Sequence, residues 1–290
     1  MSAQGVCWIG GQVLPLDQAR VSVTDHGLLY GDGVFEGIRF YGGKAFMLAA
    51  HLERLADSAQ AIALPVPWSR DELSVIVQGV IDAFDAPEGY LRVVVTRGPG
   101  ALGINPASCK EPELIVMASQ LHMVDEQARS AGIRAIIAST RRLPPDGLDP
   151  RIKSLNYLNH ILARIEANRS GAEEALMLNQ QGYVAEGTAD NVFIARGGKL
   201  LTPPTCDGAL AGITRGLVLE LAKADGIDAR ETRLAPYDIY TADECFLTGT
   251  GAELIPVREV DGRELAHCAG PIFQRIAGLF LSATRQSPGP

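Results

Sequence analysis

The sequence predicts an α+β protein of two domains, and three observations point there. Short apolar, β-branched runs are joined to their neighbours both by glycine pairs and by helix-length segments, which describes mixed sheets rather than a regular strand–helix–strand series. The 290 residues exceed the roughly 100–200 of one typical domain. A hydrophobic fraction of 47% beside 21% charged residues can fill a large core and excludes a disordered chain. The domains are expected at 1–119, small and α/β, and at 126–290, larger, with a linker at 120–125.

The elements follow in chain order. Residues 6–9 and 12–14 flank Gly10-Gly11, which supplies the positive φ of a hairpin turn, and residues 34–41 and 45–48 repeat the pattern around Gly42-Gly43. Leu52, Leu55, Ala59 and Ile62 recur at helical spacing within 49–63. Ser69-Arg70-Asp71-Glu72 forms a capping box that opens a second helix, to about Phe84. Strands are expected at 90–97 and 113–119, then at 133–140, with a helix at 155–168 after the Pro144-Pro145 loop. Further strands fall at 174–178, 191–196, 199–201 and 246–248, with helices from about Ile213 and over 271–282.

Composition narrows the function. Acidic residues outnumber basic ones, 34 to 26, for a net charge of −8, which disfavours nucleic acid or an anionic membrane as partner. No apolar run approaches the roughly 18 residues of a membrane span, and the first five residues lack the charged and apolar regions of a signal peptide. Five scattered cysteines, with no C-x-x-C pair, read as reduced thiols of a cytoplasmic protein. No metal site is expected, because the histidines lack ligand spacing. Small molecules are the expected partners.

One motif misleads. Gly98-Pro99-Gly100-Ala101-Leu102-Gly103 satisfies G-x-G-x-x-G after a strand, but Pro106 and Pro112 follow where a dinucleotide fold needs a helix. A loop is the better reading. The lysines say more, since five stand against 21 arginines. Lys44 and Lys199 follow glycine pairs, Lys110 lies in the loop, and Lys223 sits near a helix end. Lys153 precedes an amphipathic segment, where an amine shielded from water can act as a Schiff-base nucleophile.

Motifs in order along the chain strengthen that reading. Leu28-Leu29-Tyr30-Gly31-Asp32-Gly33-Val34-Phe35-Glu36-Gly37-Ile38-Arg39 resembles the opening signature of class IV pyridoxal-phosphate aminotransferases, the branched-chain type especially. His51-Leu52-Glu53-Arg54-Leu55 is similar to their phosphate-binding helix, and Lys153-Ser154-Leu155-Asn156-Tyr157 to their catalytic-lysine segment. Glu186-Gly187-Thr188-Ala189-Asp190-Asn191, Leu210-Ala211-Gly212-Ile213-Thr214-Arg215 and Thr248-Gly249-Thr250-Gly251-Ala252-Glu253 complete the pattern.

The resemblance implies the two-domain D-amino acid aminotransferase-like fold with pyridoxal 5'-phosphate between the domains and the lysine in the larger one. It makes Lys153 catalytic, forming the Schiff base and moving the substrate proton. Glu186 would face the pyridine nitrogen; without the resemblance it reads as a solvated hairpin acid. Arg54, Gly212, Ile213, Thr214 and Thr250 would hold the phosphate, and Tyr157 the ring oxygen. Arg54 alone reads equally as a helical partner of Glu53 or Asp57. Tyr90 and Arg92 share a strand face and would meet the substrate's α-carboxylate and the distal carboxylate of glutamate; the Arg-x-His pair of D-amino acid enzymes is absent. Thr250 and Gly251 would also hold the α-carboxylate. Tyr30, Phe35 and Gly37 would shape an apolar pocket braced by Arg39. At 120–124, where many branched-chain enzymes place an aromatic, Leu121-His122-Met123 stands instead.

The expected activity is transfer of an amino group from L-leucine, L-isoleucine or L-valine to 2-oxoglutarate by a ping-pong route, in a homodimer or larger assembly. The rivals are a D-amino acid or (R)-amine transaminase, an aminodeoxychorismate lyase, a dinucleotide oxidoreductase and a non-catalytic interaction protein.

Overall fold

The computed structural model describes residues 5–121 and 131–286. Its contacts divide into two units. One comprises 5–121 together with Ile152–Asn156, the other 131–151 and Tyr157–Gln286. The expected linker positions 122–125, with the departure at His122-Met123, lie outside the described residues.

In the first unit β1 (Gly5–Ile9) and β2 (Gln12–Pro15) form the expected hairpin, with Gly10 and Gly11 at φ 57° and 82°. The short α1 (His26–Tyr30) leads into β3 (Gly33–Tyr41), which turns through Gly42-Gly43 into β4 (Lys44–Ala45). β4 is shorter than expected because the chain turns at Met47, in the left-handed region, directly into α2 (Leu48–Ala61). α3 (Arg70–Phe84) opens on the expected box: the Ser69 amide donates to Glu72 Oε2 at 2.8 Å, and the Glu72 amide to Ser69 Oγ at 3.2 Å. β5 (Glu88–Thr96) and β6 (Glu113–Ser119) complete a sheet of order β2-β1-β6-β5-β3-β4, antiparallel throughout. Between them no helix follows the glycine motif, only a 3-10 turn at Pro106–Ser108.

Alternation gives this sheet two faces. Val34, Ile38 and Phe40 of β3, with Leu91, Val93 and Val95 of β5, pack on Leu52 and Leu55 of α2 and Leu73 and Val77 of α3. Phe35, Gly37 and Arg39, opposite Val94, Arg92 and Tyr90, lie on the other face.

The second unit is built on a mixed sheet of order β12-β11-β10-β13-β14-β7-β8-β9, with β15 paired to β14. In chain order its elements are β7 (Ile133–Ile137), α4 (Pro145–Leu148), α5 (Leu158–Arg169), β8 (Glu174–Leu178), β9 (Val184–Glu186), β10 (Asn191–Arg196) and β11 (Lys199–Thr202). Then come α6 (Ile213–Ala224), β12 (Ala229–Glu231), α7 (Pro236–Tyr240), β13 (Glu244–Gly249), β14 (Glu253–Val260), β15 (Arg263–Glu264) and α8 (Pro271–Gln286).

Three differences from expectation have physical causes. β14 is hidden in the sequence by Pro256, a residue that ordinarily argues against an interior strand. It fits because β7 pairs with β14 only from Val257 onward, so Pro256 owes no hydrogen bond on that side. The helix expected over 155–168 starts at Leu158, because Leu155 and Asn156 are bound to the first unit. Lys153, expected from the resemblance in the larger domain, belongs to this same segment, and Ile152–Asn156 clusters with the first unit.

Candidate active site

The segment Ile152–Asn156 lies along β3. The Phe35 amide donates to the Lys153 carbonyl at 3.0 Å and the Leu155 amide to the Gly33 carbonyl at 2.9 Å, with a bridge between Val34 and Ser154. The Lys153 amide donates to Ser58 Oγ of α2 at 3.1 Å. This approach needs glycine: a Cβ on Gly33 would lie 2.7 Å from both Leu155 Cδ1 and the Val95 carbonyl. Lys153 Nζ stands 4.6 Å from the centroid of the Phe35 ring.

Four of the expected substrate residues share that sheet face with Phe35. Arg92 places its guanidinium 4.6 Å from the Phe35 centroid, and its Nη2 donates to Tyr90 Oη at 3.4 Å. Gly37 leaves room for Tyr90, since a Cβ there would lie 2.0 Å from Oη. Arg39 pairs across from Tyr90. Tyr30 is differently engaged: on α1, its hydroxyl accepts from the Gly103 amide at 2.8 Å, on the loop of the misleading glycine motif.

Arg54 lies on α2, and the partner that grips it is Glu36 of β3, not a residue of its own helix turn that the sequence suggested. Its Nε and Nη2 donate to Glu36 Oε1 and Oε2 at 2.7 and 2.8 Å, a two-point fork. His51 Nδ1 lies 2.7 Å from Glu36 Oε2. Glu36 is fully buried on the apolar, helix-covered face. Burial pushes its pKa up, but the hydrogen bonds and charges of Arg54 and His51 outweigh that and hold it at about 2. Burial pushes the His51 pKa down despite the neighbouring carboxylate, and its Nδ1 faces the Glu36 carboxylate as a donor would.

In the second unit Glu186 ends β9, opposite Met177 on β8, and is buried, not a solvated hairpin acid. Arg142 Nη2 lies 2.8 Å from its Oε1 and His160 Nε2 3.9 Å, while its Oε2 accepts from the Leu210 amide at 2.9 Å and from Asn191 Nδ2 at 3.4 Å. Burial alone would raise the Glu186 pKa; the Arg142 charge, with help from His160 and the Leu210 amide, lowers it, so the carboxylate is ionised. Tyr157, just before α5, stacks on His160 with centroids 4.4 Å apart.

Asn191 gathers the remaining residues. Its Nδ2 also donates to the Leu210 carbonyl at 3.0 Å, and a Cβ on Gly212 would lie 1.9 Å from its Oδ1. Gly212 is the N-cap of α6 and no side chain caps the helix, so Ile213 and the buried Thr214 open it on bare backbone. Asn191 also pairs with Thr248 of β13, and Thr250 and Gly251 form the turn from β13 to β14. Glu36, His51, Arg142, His160 and Asn191 were missed from sequence. Glu36, His51 and Asn191 stand inside the quoted motifs; Arg142 carries no local signal, since its partner Glu186 is distant in the chain.

Comparison with known proteins gives the family. Residues 33–260 match the family model described as amino-transferase class IV. The chain is 48% identical over 257 residues to a putative branched-chain-amino-acid aminotransferase of Methanocaldococcus jannaschii, covering 88% of each. It is similar to the crystal structure of the Escherichia coli branched-chain amino acid aminotransferase, with a TM-score of 0.91, 35% identity, and 96% and 93% of the two chains covered. It is similar too to the branched-chain amino acid aminotransferase of Thermobaculum terrenum, solved in its PLP-form, with a TM-score of 0.86, 30% identity, and 99% and 96% covered. By fold, by motif and by these likenesses, the chain belongs to the class IV aminotransferases.

Proposed function

We propose that this aminotransferase uses pyridoxal 5'-phosphate to move the amino group of branched-chain L-amino acids to 2-oxoglutarate. The observation that carries the proposal is the position of Lys153, strapped to β3 with Nζ over Phe35, on the sheet face that holds Tyr90 and Arg92. The donor set suits this cofactor: a guanidinium and an uncapped helix start for a phosphate, a buried ionised carboxylate for a pyridinium nitrogen, and an amine for an aldehyde. The tight contact of Gly212 with Asn191 keeps that helix start free of a side chain.

When bound, the cofactor supplies the electron sink that lets the substrate Cα–H bond break. Lys153 is assigned attachment of the cofactor and then carriage of the Cα proton at Nζ. Glu186, kept ionised by Arg142, is assigned the ring nitrogen, and Tyr157 the ring oxygen. Arg54, Gly212, Ile213, Thr214 and Thr250 are assigned the phosphate. Phe35, Gly37 and Tyr30 favour an apolar side chain, and Arg39 braces that face. Tyr90, Thr250 and Gly251 are assigned the α-carboxylate, and Arg92 the distal carboxylate of glutamate. A two-stage, ping-pong exchange follows from one pocket serving both substrates.

We further propose a homodimer or larger assembly in the cytoplasm. The apolar Leu158, Ile161 and Leu162 exposed on α5 support the first, and five free cysteines support the second. No helix among the described residues is long and apolar enough to cross a membrane. A panel of L-leucine, L-isoleucine, L-valine, D-alanine and aromatic (R)-amines with 2-oxoglutarate tests the substrate class. Turnover confined to the D-amino acid or the amines would overturn it, as would pyruvate release from aminodeoxychorismate alone.

A further inference from the structure

Glu36 is the only acid on an otherwise apolar stretch of β3, between Val34 and Ile38, facing the helices. A carboxylate buried there is expensive, and a well-packed hydrophobic residue of similar volume would serve stability as well or better. What the carboxylate does is fix one side chain. Its two oxygens take Nε and Nη2 of Arg54 in parallel, which sets the plane of the guanidinium, and His51 Nδ1 fixes the carboxylate from the other side. His51, Arg54 and Ser58 fall at i, i+3 and i+7, on one face of α2. The same helix face that receives Glu36 therefore also receives the Lys153 amide through Ser58 Oγ.

We propose that Glu36, steadied by His51, is a positioning residue for the cofactor's phosphate: it holds Arg54 in the one orientation that grips the anion, so its removal weakens phosphate recognition without touching the rest of the cofactor. The inference rests on the reading of Arg54 as a phosphate ligand. Gln at position 36 keeps the shape but replaces one acceptor by an NH2 group facing the Arg54 donors, which breaks the fork.

The test is a binding titration of the full chain, after cofactor removal, with pyridoxal 5'-phosphate and with pyridoxal, which lacks the phosphate. For wild type the first should bind far more tightly than the second. Glu36→Gln should lower affinity for pyridoxal 5'-phosphate about tenfold or more and leave pyridoxal within about twofold. Glu36→Asp keeps the charge but draws the oxygens back, and should lose the same preference; it serves if the Gln variant folds poorly. Equal losses for both ligands in both variants would mean a merely structural acid and overturn the proposal. Arg54→Gln separates the two readings. If it abolishes the phosphate preference while Glu36 variants retain it, the positioning role alone falls; if it leaves the preference intact, the phosphate assignment of Arg54 falls with it.

Discussion

The hydroxyl of Tyr90 occupies the space that a side chain on Gly37 would fill: a Cβ there would lie 2.0 Å from Oη. Gly37 is paired with Arg92 across the sheet, so one missing side chain sets the position of both proposed carboxylate contacts. Gly37→Ala must displace the tyrosine, the movable partner. The expected result is a KM for L-leucine raised about tenfold with a small loss of Tm. Gly33→Ala is the contrast, because its Cβ meets the Val95 carbonyl, which cannot swing aside. It should cost about 1–3 kcal/mol of stability as an overpacked site. Chemical denaturation and steady-state kinetics on both variants check the pair; equal behaviour would contradict it.

Arg92 is exposed and stands over the edge of the apolar patch at Phe35. Arg92→Ala should raise the KM for 2-oxoglutarate by about tenfold or more and leave L-leucine nearly unchanged. Equal losses for the two substrates would remove Arg92 from its assigned contact with the distal carboxylate.

The buried pair of Arg142 and Glu186 supplies a stability test. Arg142→Met leaves a buried carboxylate without its main counter-charge and should cost about 3–5 kcal/mol. Adding Glu186→Gln should recover part of that loss, because the stranded charge is gone. Urea unfolding of the two singles and the double checks the coupling; additive losses would deny it.

Glu36 predicts a pH dependence. Its folded pKa of about 2 lies below the ordinary 4.5, so it stabilises the fold above pH 4.5 and loses that contribution as pH falls toward 2. The amount is on the order of 3 kcal/mol. Glu36→Gln should therefore be less stable than wild type at neutral pH and lose less on acidification between pH 4.5 and 2. Thermal melts across that window measure the difference, and parallel curves would contradict it.

Local rules made much of the fold legible. The glycine hairpins, the Ser69–Glu72 box and the apolar spacing of α2 each specify their own element, and the structure has them. What escaped depends on partners distant in the chain. Leu155 and Asn156 look helical, yet tertiary hydrogen bonds to Gly33 and Gly31 hold them on the first unit. Pro256 hides a strand whose neighbour begins one residue later. Site residues showed the same division. Lys153, Glu186 and Glu36 stand in recognisable motifs, whereas the pairing of Glu36 with Arg54, and the Arg142 that pairs with Glu186, are defined only by folding.

The central claim is that Lys153, alone of five lysines, carries the cofactor. Borohydride reduction of the purified protein with pyridoxal 5'-phosphate, followed by peptide mapping, tests it directly. The account predicts a single labelled peptide containing Lys153, and loss of both label and transamination in Lys153→Ala. A label on Lys44, Lys110, Lys199 or Lys223, or one that persists in Lys153→Ala, would contradict it.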